Sequence, residues 1–554
     1  MRRLPLAFVC ALLAIPLPIQ DAAGAGVTPR GGRAAARGAP HTGPALTIDA
    51  GTLGRQISPL IYGVNFGSAQ LLQSLGATIS RWGGNSTSRY NWRNGFTNTG
   101  SDYFFENVRF TPGADAFIDA RSGVGADTVL TVPMLGWVSK DSPAQHPFAC
   151  GFKVSKYGEQ RKTDPFDHNC GNGIRPNGQR IRNNDPHDTS IGATQQFDRT
   201  WVEHLVASHG SAAHGGVRFY ELDNEPALWN STHRDVHPKP LTYDELAHRS
   251  VATAAAVKEA DPKALVLGPS DWGWCAYFFS AADPGGCGNG PDRRSHDNVP
   301  IVAWYLRQMR AYQQTHGTRI LDYLDLHFYP QANGVSLSPA GSAATQALRL
   351  RQTRTLWDPH YTDESWTDDL GLGPVMLIPR MRTWVARNLP ETKLAITEYN
   401  WGGMESLNGA LAQADVLGIF GREGVGLATM WDPPAASQPA AFAFRIYRNY
   451  NGGGARFGDR SVKAGSADQG KLSVYAAKRG SDGALTLVVI NKTSSDLRST
   501  VSLAGVDPSG PASVFTYSAG DLHKIVHAAD QSVTGSGFTH TFRAASISLL
   551  VIPT

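Results

Sequence analysis

The chain has 554 residues, 41% of them hydrophobic, and its 51 Lys and Arg against 47 Asp and Glu leave a formal net charge of +4. That length requires several domains, or one large α/β barrel with an addition. So weak a charge gives no argument for nucleic acid or an anionic membrane as a partner, and the composition is not that of a membrane protein.

At the N-terminus Arg2 and Arg3 precede an apolar run over 4–18, interrupted by Pro5, Pro16 and Pro18 and followed by Ala23-Gly24-Ala25. Residues 1–25 therefore read as a secretory signal peptide, and the mature protein is expected to be secreted, extracellular or periplasmic. Residues 26–44, rich in Gly, Ala, Pro and Arg, read as a disordered linker. Residues 45–57 hold a strand candidate and then turn residues.

From 58 to 440 one theme repeats: a short apolar β-type run, a polar or Gly-rich loop, then a helical stretch. The runs are 61–66, 78–82, 128–132, 218–222, 265–268, 323–328, 394–398 and 427–431. Helical stretches between them include 194–209, where Phe197, Trp201, Leu205 and His209 share one face, and also 243–260, 299–315 and 374–388. Eight such units are the count of a (β/α)8 TIM barrel. A doubly wound sheet could be drawn from the same runs, but no Gly-rich nucleotide loop follows the first. Residues 331–370 read as a long irregular insertion. From 441 to 554 only short strand candidates occur, which reads as a β-sandwich domain that also takes the N-terminal strand.

Apart from Cys10 in the signal, the cysteines are Cys150, Cys170, Cys275 and Cys287. An even number in an exported chain predicts two disulfides, and sequence proximity favours Cys150–Cys170 and Cys275–Cys287. Zinc is the weaker alternative, because no Cys-x-x-Cys occurs. His233 and His237 have helical metal-pair spacing, but no Glu follows in the required pattern and Pro238 breaks the helix.

Chemistry in a TIM barrel sits where strands end. The fourth run ends in Asp223-Asn224-Glu225-Pro226 and the seventh in Thr397-Glu398-Tyr399-Asn400. Two carboxyl groups converging on one bond are what glycoside hydrolysis needs. Asn-Glu-Pro at strand four with Thr-Glu at strand seven resembles clan A glycoside hydrolases. That resemblance implies Glu225 as acid/base, Glu398 as nucleophile, retention of configuration, and Asn224 on the sugar 2-hydroxyl. Longer strings narrow it: Arg81-Trp82-Gly83-Gly84-Asn85, Arg89-Tyr90-Asn91-Trp92, Val154-Ser155-Lys156-Tyr157-Gly158 and Asp223-Asn224-Glu225-Pro226-Ala227-Leu228-Trp229 look like glycoside hydrolase family 44. The family implies a barrel joined to a β-sandwich and endo-hydrolysis of cellulose-type β-1,4-glucan or xyloglucan. It needs no cofactor for catalysis and allows a structural calcium, whose ligands the sequence does not assign.

Arg81 is positioned to hold Glu398 ionised or to form a structural ion pair. Glu221 and Asp223 share strand parity with Glu225, with ion pairing and metal ligation both open. Asn85 is a candidate sugar-hydroxyl partner, and Trp92, Trp401 and Trp431 are candidate stacking platforms. His327 and Tyr329 end the sixth run and are expected near the nucleophile or the sugar beside it. The partner is then a β-glucan polysaccharide, and a monomer is expected. An exo-acting clan A enzyme such as an arabinofuranosidase, or a non-catalytic glycan-binding protein, are the rival readings.

Overall fold

The structure, a computed structural model, describes residues 39–554; the expected signal peptide and residues 26–38 of the expected linker lie outside the described residues. Eight parallel strands close a barrel in chain order: β1 Gly63–Asn65, β2 Ile79–Trp82, β3 Asp127–Val132, β4 Phe219–Leu222, β5 Leu265–Trp272, β6 Tyr323–Phe328, β7 Lys393–Tyr399 and β8 Leu427–Met430, which returns to β1. These strands are buried on both faces, which is why they read as short continuous apolar runs rather than as alternating ones. Near their N-terminal ends Ile79, Val129, Phe219, Leu267, Tyr323, Ala395 and Leu427 meet inside the barrel and seal it. Each such burial contributes about 1.5–3 kcal/mol for the larger side chains. The opposite, C-terminal mouth is left to polar groups.

The helices fall where apolar periodicity placed them. Tyr243–Ala260 starts at Thr242, whose hydroxyl accepts from the Glu245 amide at 3.2 Å, and carries Asp244 and Glu245 in its positive first turn. The segment 331–370 is not irregular throughout. It contains the helix Ala343–Gln352, capped by Ser342. That helix buries Arg349, whose guanidinium donates to the carbonyls of Trp401, Ala340, Gly334 and Pro339 and to Asn408. A helix anchored by a cation leaves no apolar stripe to read.

The second domain is a curled ten-stranded sheet forming a β-sandwich. Leu46–Gln56 lies between Leu497–Ala504, to which it runs parallel, and Arg460–Ser466, to which it runs antiparallel. Leu46, Ile48, Val474, Leu487, Val501 and Phe542 belong to its core. His41–Thr42 already pairs with Leu497 and Arg498, so ordered structure begins inside the expected linker. The helix Pro439–Arg448 runs across residue 440. Barrel and sandwich meet at the helix Leu407–Glu423. Its buried Asp415 accepts from Thr353, Ser473, Tyr475 and Lys492 at 2.6–2.8 Å. Cys150 is bonded to Cys170 and Cys275 to Cys287.

Candidate active site

The chain beyond β4 makes a tight turn. Asp223 (φ 60°) and Glu225 (φ 44°) both adopt left-handed backbone conformations, each costing on the order of 1 kcal/mol that the surroundings must offset. The buried Asp223 carboxylate supplies the offset. It accepts from Ser88 Oγ and from the amides of Met134, Leu135 and Asn224, while the Glu225 amide donates to the Ser270 carbonyl. The strand parity that would put Asp223 and Glu225 on one face therefore ends at Leu222. The turn, not the pleat, aims Glu225.

Glu225 and Glu398 come together at the barrel mouth across His327. The His327 Nδ1 lies 3.0 Å from Glu225 Oε1 and 3.4 Å from Glu398 Oε2. One carboxylate oxygen of Glu225, one of Glu398 and a ring nitrogen of His327 lie within 4.8 Å of one another. Tyr329 donates its hydroxyl to Glu398 Oε2 at 2.8 Å. Arg81, fully buried, reaches Glu398 Oε1 at 2.6 Å and Glu221 Oε2 at 2.7 Å, and donates to Asn224 Oδ1 at 2.8 Å. Arg81 therefore forms the structural ion pair with Glu221 inside the barrel and also sits against Glu398. Asn224 passes the chain of contacts on to Asn85, which donates to Asp102.

These contacts set the charge states. Burial pushes the Glu225 carboxyl up and the negative charge of Glu398 adds to it, against the hydrogen bond from His327. Burial works against a charged His327, but Glu398, Glu221 and Glu225 outweigh it and push its pKa up to about 10. Burial likewise opposes ionisation of Glu221, and Arg81 and His327 overcome it, holding this carboxyl well below the usual range. Asp325, a residue the sequence did not single out, is buried beneath the pair. It accepts from Ser270 and Thr397, and burial with the nearby Glu221 raises it to about 7. Its inward position two residues before His327 on β6 was the available signal.

Two tryptophans do not join this site. Trp401 is completely buried, packed between Phe328 and Tyr399, with no face open to a sugar. Trp92 stacks on His204 at 5.1 Å and packs against Phe197, both on the outer helix Gln195–His209. Trp431 does sit at the mouth, half-buried just past β8. Its ring lies so close over Gly84 (φ 96°) that a Cβ there would come within 2.8 Å of it. Of the two histidines with metal spacing, His237 bonds Glu245 at 2.8 Å, and neither belongs to a metal-sized cluster among the described residues.

A family model described as glycoside hydrolase family 44 matches residues 96–332. Endoglucanase A of Paenibacillus lautus is 32% identical over 537 residues, covering 92% of this chain and 72% of that protein. The chain belongs to glycoside hydrolase family 44. Among solved structures it is similar to CelM2, a bifunctional glucanase-xylanase from a metagenome library, at 38% identity and a TM-score of 0.89, over 93% of this chain and 100% of that one. A family 44 xyloglucanase from Paenibacillus polymyxa matches at 30% identity and a TM-score of 0.76, over 92% and 99%. The family 44 chain is thus a glycoside hydrolase with a barrel and a β-sandwich, as the motifs around Arg81 and Glu225 implied.

Proposed function

We propose that this family 44 enzyme is a secreted endo-β-1,4-glucanase that hydrolyses cellulose-type glucan or xyloglucan with retention of configuration, Glu398 acting as nucleophile and Glu225 as acid/base. The observation that carries the reading is the pair of carboxyls meeting at His327 within 4.8 Å. Retaining enzymes hold their carboxyls about 5–5.5 Å apart, whereas inverting ones leave room for a water between them. Arg81 and the Tyr329 hydroxyl bind the two oxygens of Glu398 and fix it in place, and burial raises the Glu225 carboxyl toward the protonated form an acid needs. Glu398 attacks the anomeric carbon as the bond to the leaving oxygen breaks, and the Glu225 proton goes to that oxygen. Water then gives a proton to Glu225 and its hydroxyl to the anomeric carbon, releasing Glu398. The names of the family 44 relatives support a β-glucan substrate, and the two disulfides support export.

Among the described residues a structural calcium fits best at one cluster outside the barrel mouth. Glu106 is fully buried with neither carboxylate oxygen bonded, and the buried Asp164 has its Oδ2 without a hydrogen bond. With His146 these offer ligand atoms within 4.8 Å of one another. Burial, then Asp164 and Asp167, push the Glu106 carboxyl up to about 8. Oxygen-rich, uncompensated negative charge is the chemistry of a calcium site, and Glu106 and Asp164 would hold the ion to tie two loops together.

The test is side-by-side digestion of xyloglucan, carboxymethyl-cellulose, mannan and xylan, following viscosity, reducing ends and the anomer first released. Rapid viscosity loss on a glucan with β-anomer first is expected. First release of α-anomer overturns retention, and chain-end products at nearly constant viscosity overturn endo action in favour of an exo-acting enzyme.

A further inference from the structure

The Glu106–Asp164 cluster is built on the Cys150–Cys170 bond. Glu106 faces Cys150 across an antiparallel bridge, flanked by Asn107 N–H to Ala149 carbonyl at 2.8 Å and Gly151 N–H to Phe105 carbonyl at 3.0 Å. On the other side the Asp164 amide donates to the Cys170 carbonyl, and the Cys170 amide to the Asp167 carbonyl, both at 2.9 Å. The disulfide therefore connects the backbone opposite one carboxylate to the turn that carries the other. Apolar support for these loops is small, with Phe105, Phe152, Tyr157 and Ile181 forming a satellite cluster of their own. With no Lys or Arg against either carboxyl, ionising both at once costs repulsion, and this repulsion acts to spread the loops that the disulfide pins together.

We propose that the Cys150–Cys170 disulfide preorganises the cation site, so that calcium binding and the disulfide stabilise each other. This rests on the calcium reading above. With the bond intact the carboxylates are held in ligating positions and calcium removes their repulsion. With it broken, binding must first gather two loops 20 residues apart in the chain. Coupling of two binding or bonding events is reciprocal, so calcium protects the disulfide from reduction by the same factor that the disulfide raises calcium affinity. Among the described residues Cys275–Cys287 borders no such cluster. The nearby Asp283 is fully engaged by the amides of Asp292 and Arg293.

The experiment uses the full chain stripped with chelator. Calcium titration by calorimetry is compared for the parent, Cys150→Ser/Cys170→Ser and Cys275→Ser/Cys287→Ser. A dissociation constant raised about tenfold or more in the first variant and unchanged in the second is expected. Should the first variant fail to fold, the parent alone suffices: each disulfide is brought to equilibrium in thiol–disulfide redox buffers with and without calcium chloride, and the reduced fraction is read by mass spectrometry after alkylation. Calcium should shift the reduction equilibrium of Cys150–Cys170 about tenfold toward the disulfide and leave Cys275–Cys287 unaffected. Equal affinities, or equal reduction equilibria, overturn the coupling and leave the calcium site standing. No calcium binding by the parent overturns the calcium reading itself.

Discussion

At the barrel mouth Glu221, Glu225 and Glu398 gather around Arg81 and His327, cations supplied by the chain itself. In the loops beside it Glu106 and Asp164 gather with no Lys or Arg against them among the described residues, only His146 at 3.5 Å from Asp164. Both groups are buried, and burying unpaired carboxylates is costly. The difference separates two uses of negative charge. On the proposed mechanism, charge that must change during a reaction is balanced by fixed side chains. On the calcium proposal, charge that only has to bind waits for an ion from outside.

The comparison breaks most visibly at the mouth. Glu398→Ala should lower kcat on β-glucan on the order of 10^5-fold, measured by reducing-end release, because the proposed mechanism has no other nucleophile; near-normal turnover would remove the mechanism. Glu225→Ala should cost about 10^2–10^4-fold on polysaccharide and much less on an activated aryl glycoside, whose leaving group needs no proton. Arg81→Met should destabilise the enzyme by about 3–5 kcal/mol in chemical denaturation, since Glu221 and Glu398 lose their counter-charge. At the loop cluster the sign reverses. Glu106→Gln should raise stability by about 1–2 kcal/mol in chelator, where the carboxylate has no partner, and abolish the stabilisation by calcium. If it destabilises under both conditions, the two clusters are not different in kind. The smallest effect concerns pH. Glu225 must be protonated to donate, so activity falls as pH rises through its elevated pKa. His327 opposes that elevation, so His327→Gln should move the alkaline limb of the kcat/KM profile upward by about one unit.

The barrel was legible because each strand is buried on both faces and reads as an apolar run ended by polar residues. Glu225 and Glu398 were legible because those ends are short and carry the motif. What the sequence hid depends on backbone turns and on distant partners. Trp401 follows the β7 end yet turns under it to pack on Phe328, and Trp92 faces an outer helix. Arg349 organises a helix through carbonyls that leave no pattern. Glu106 and Asp164 lie on separate loops, and only the fold brings their oxygens together.

Leu46–Gln56 takes its place between strands from the far end of the chain. During synthesis this long N-terminal strand emerges long before either neighbour exists, and it stays an open edge until all eight barrel strands have been made. The sandwich therefore cannot be lifted out as a C-terminal module. Cutting the chain after the barrel would leave a stray strand at one end and an unfilled slot in the other fragment.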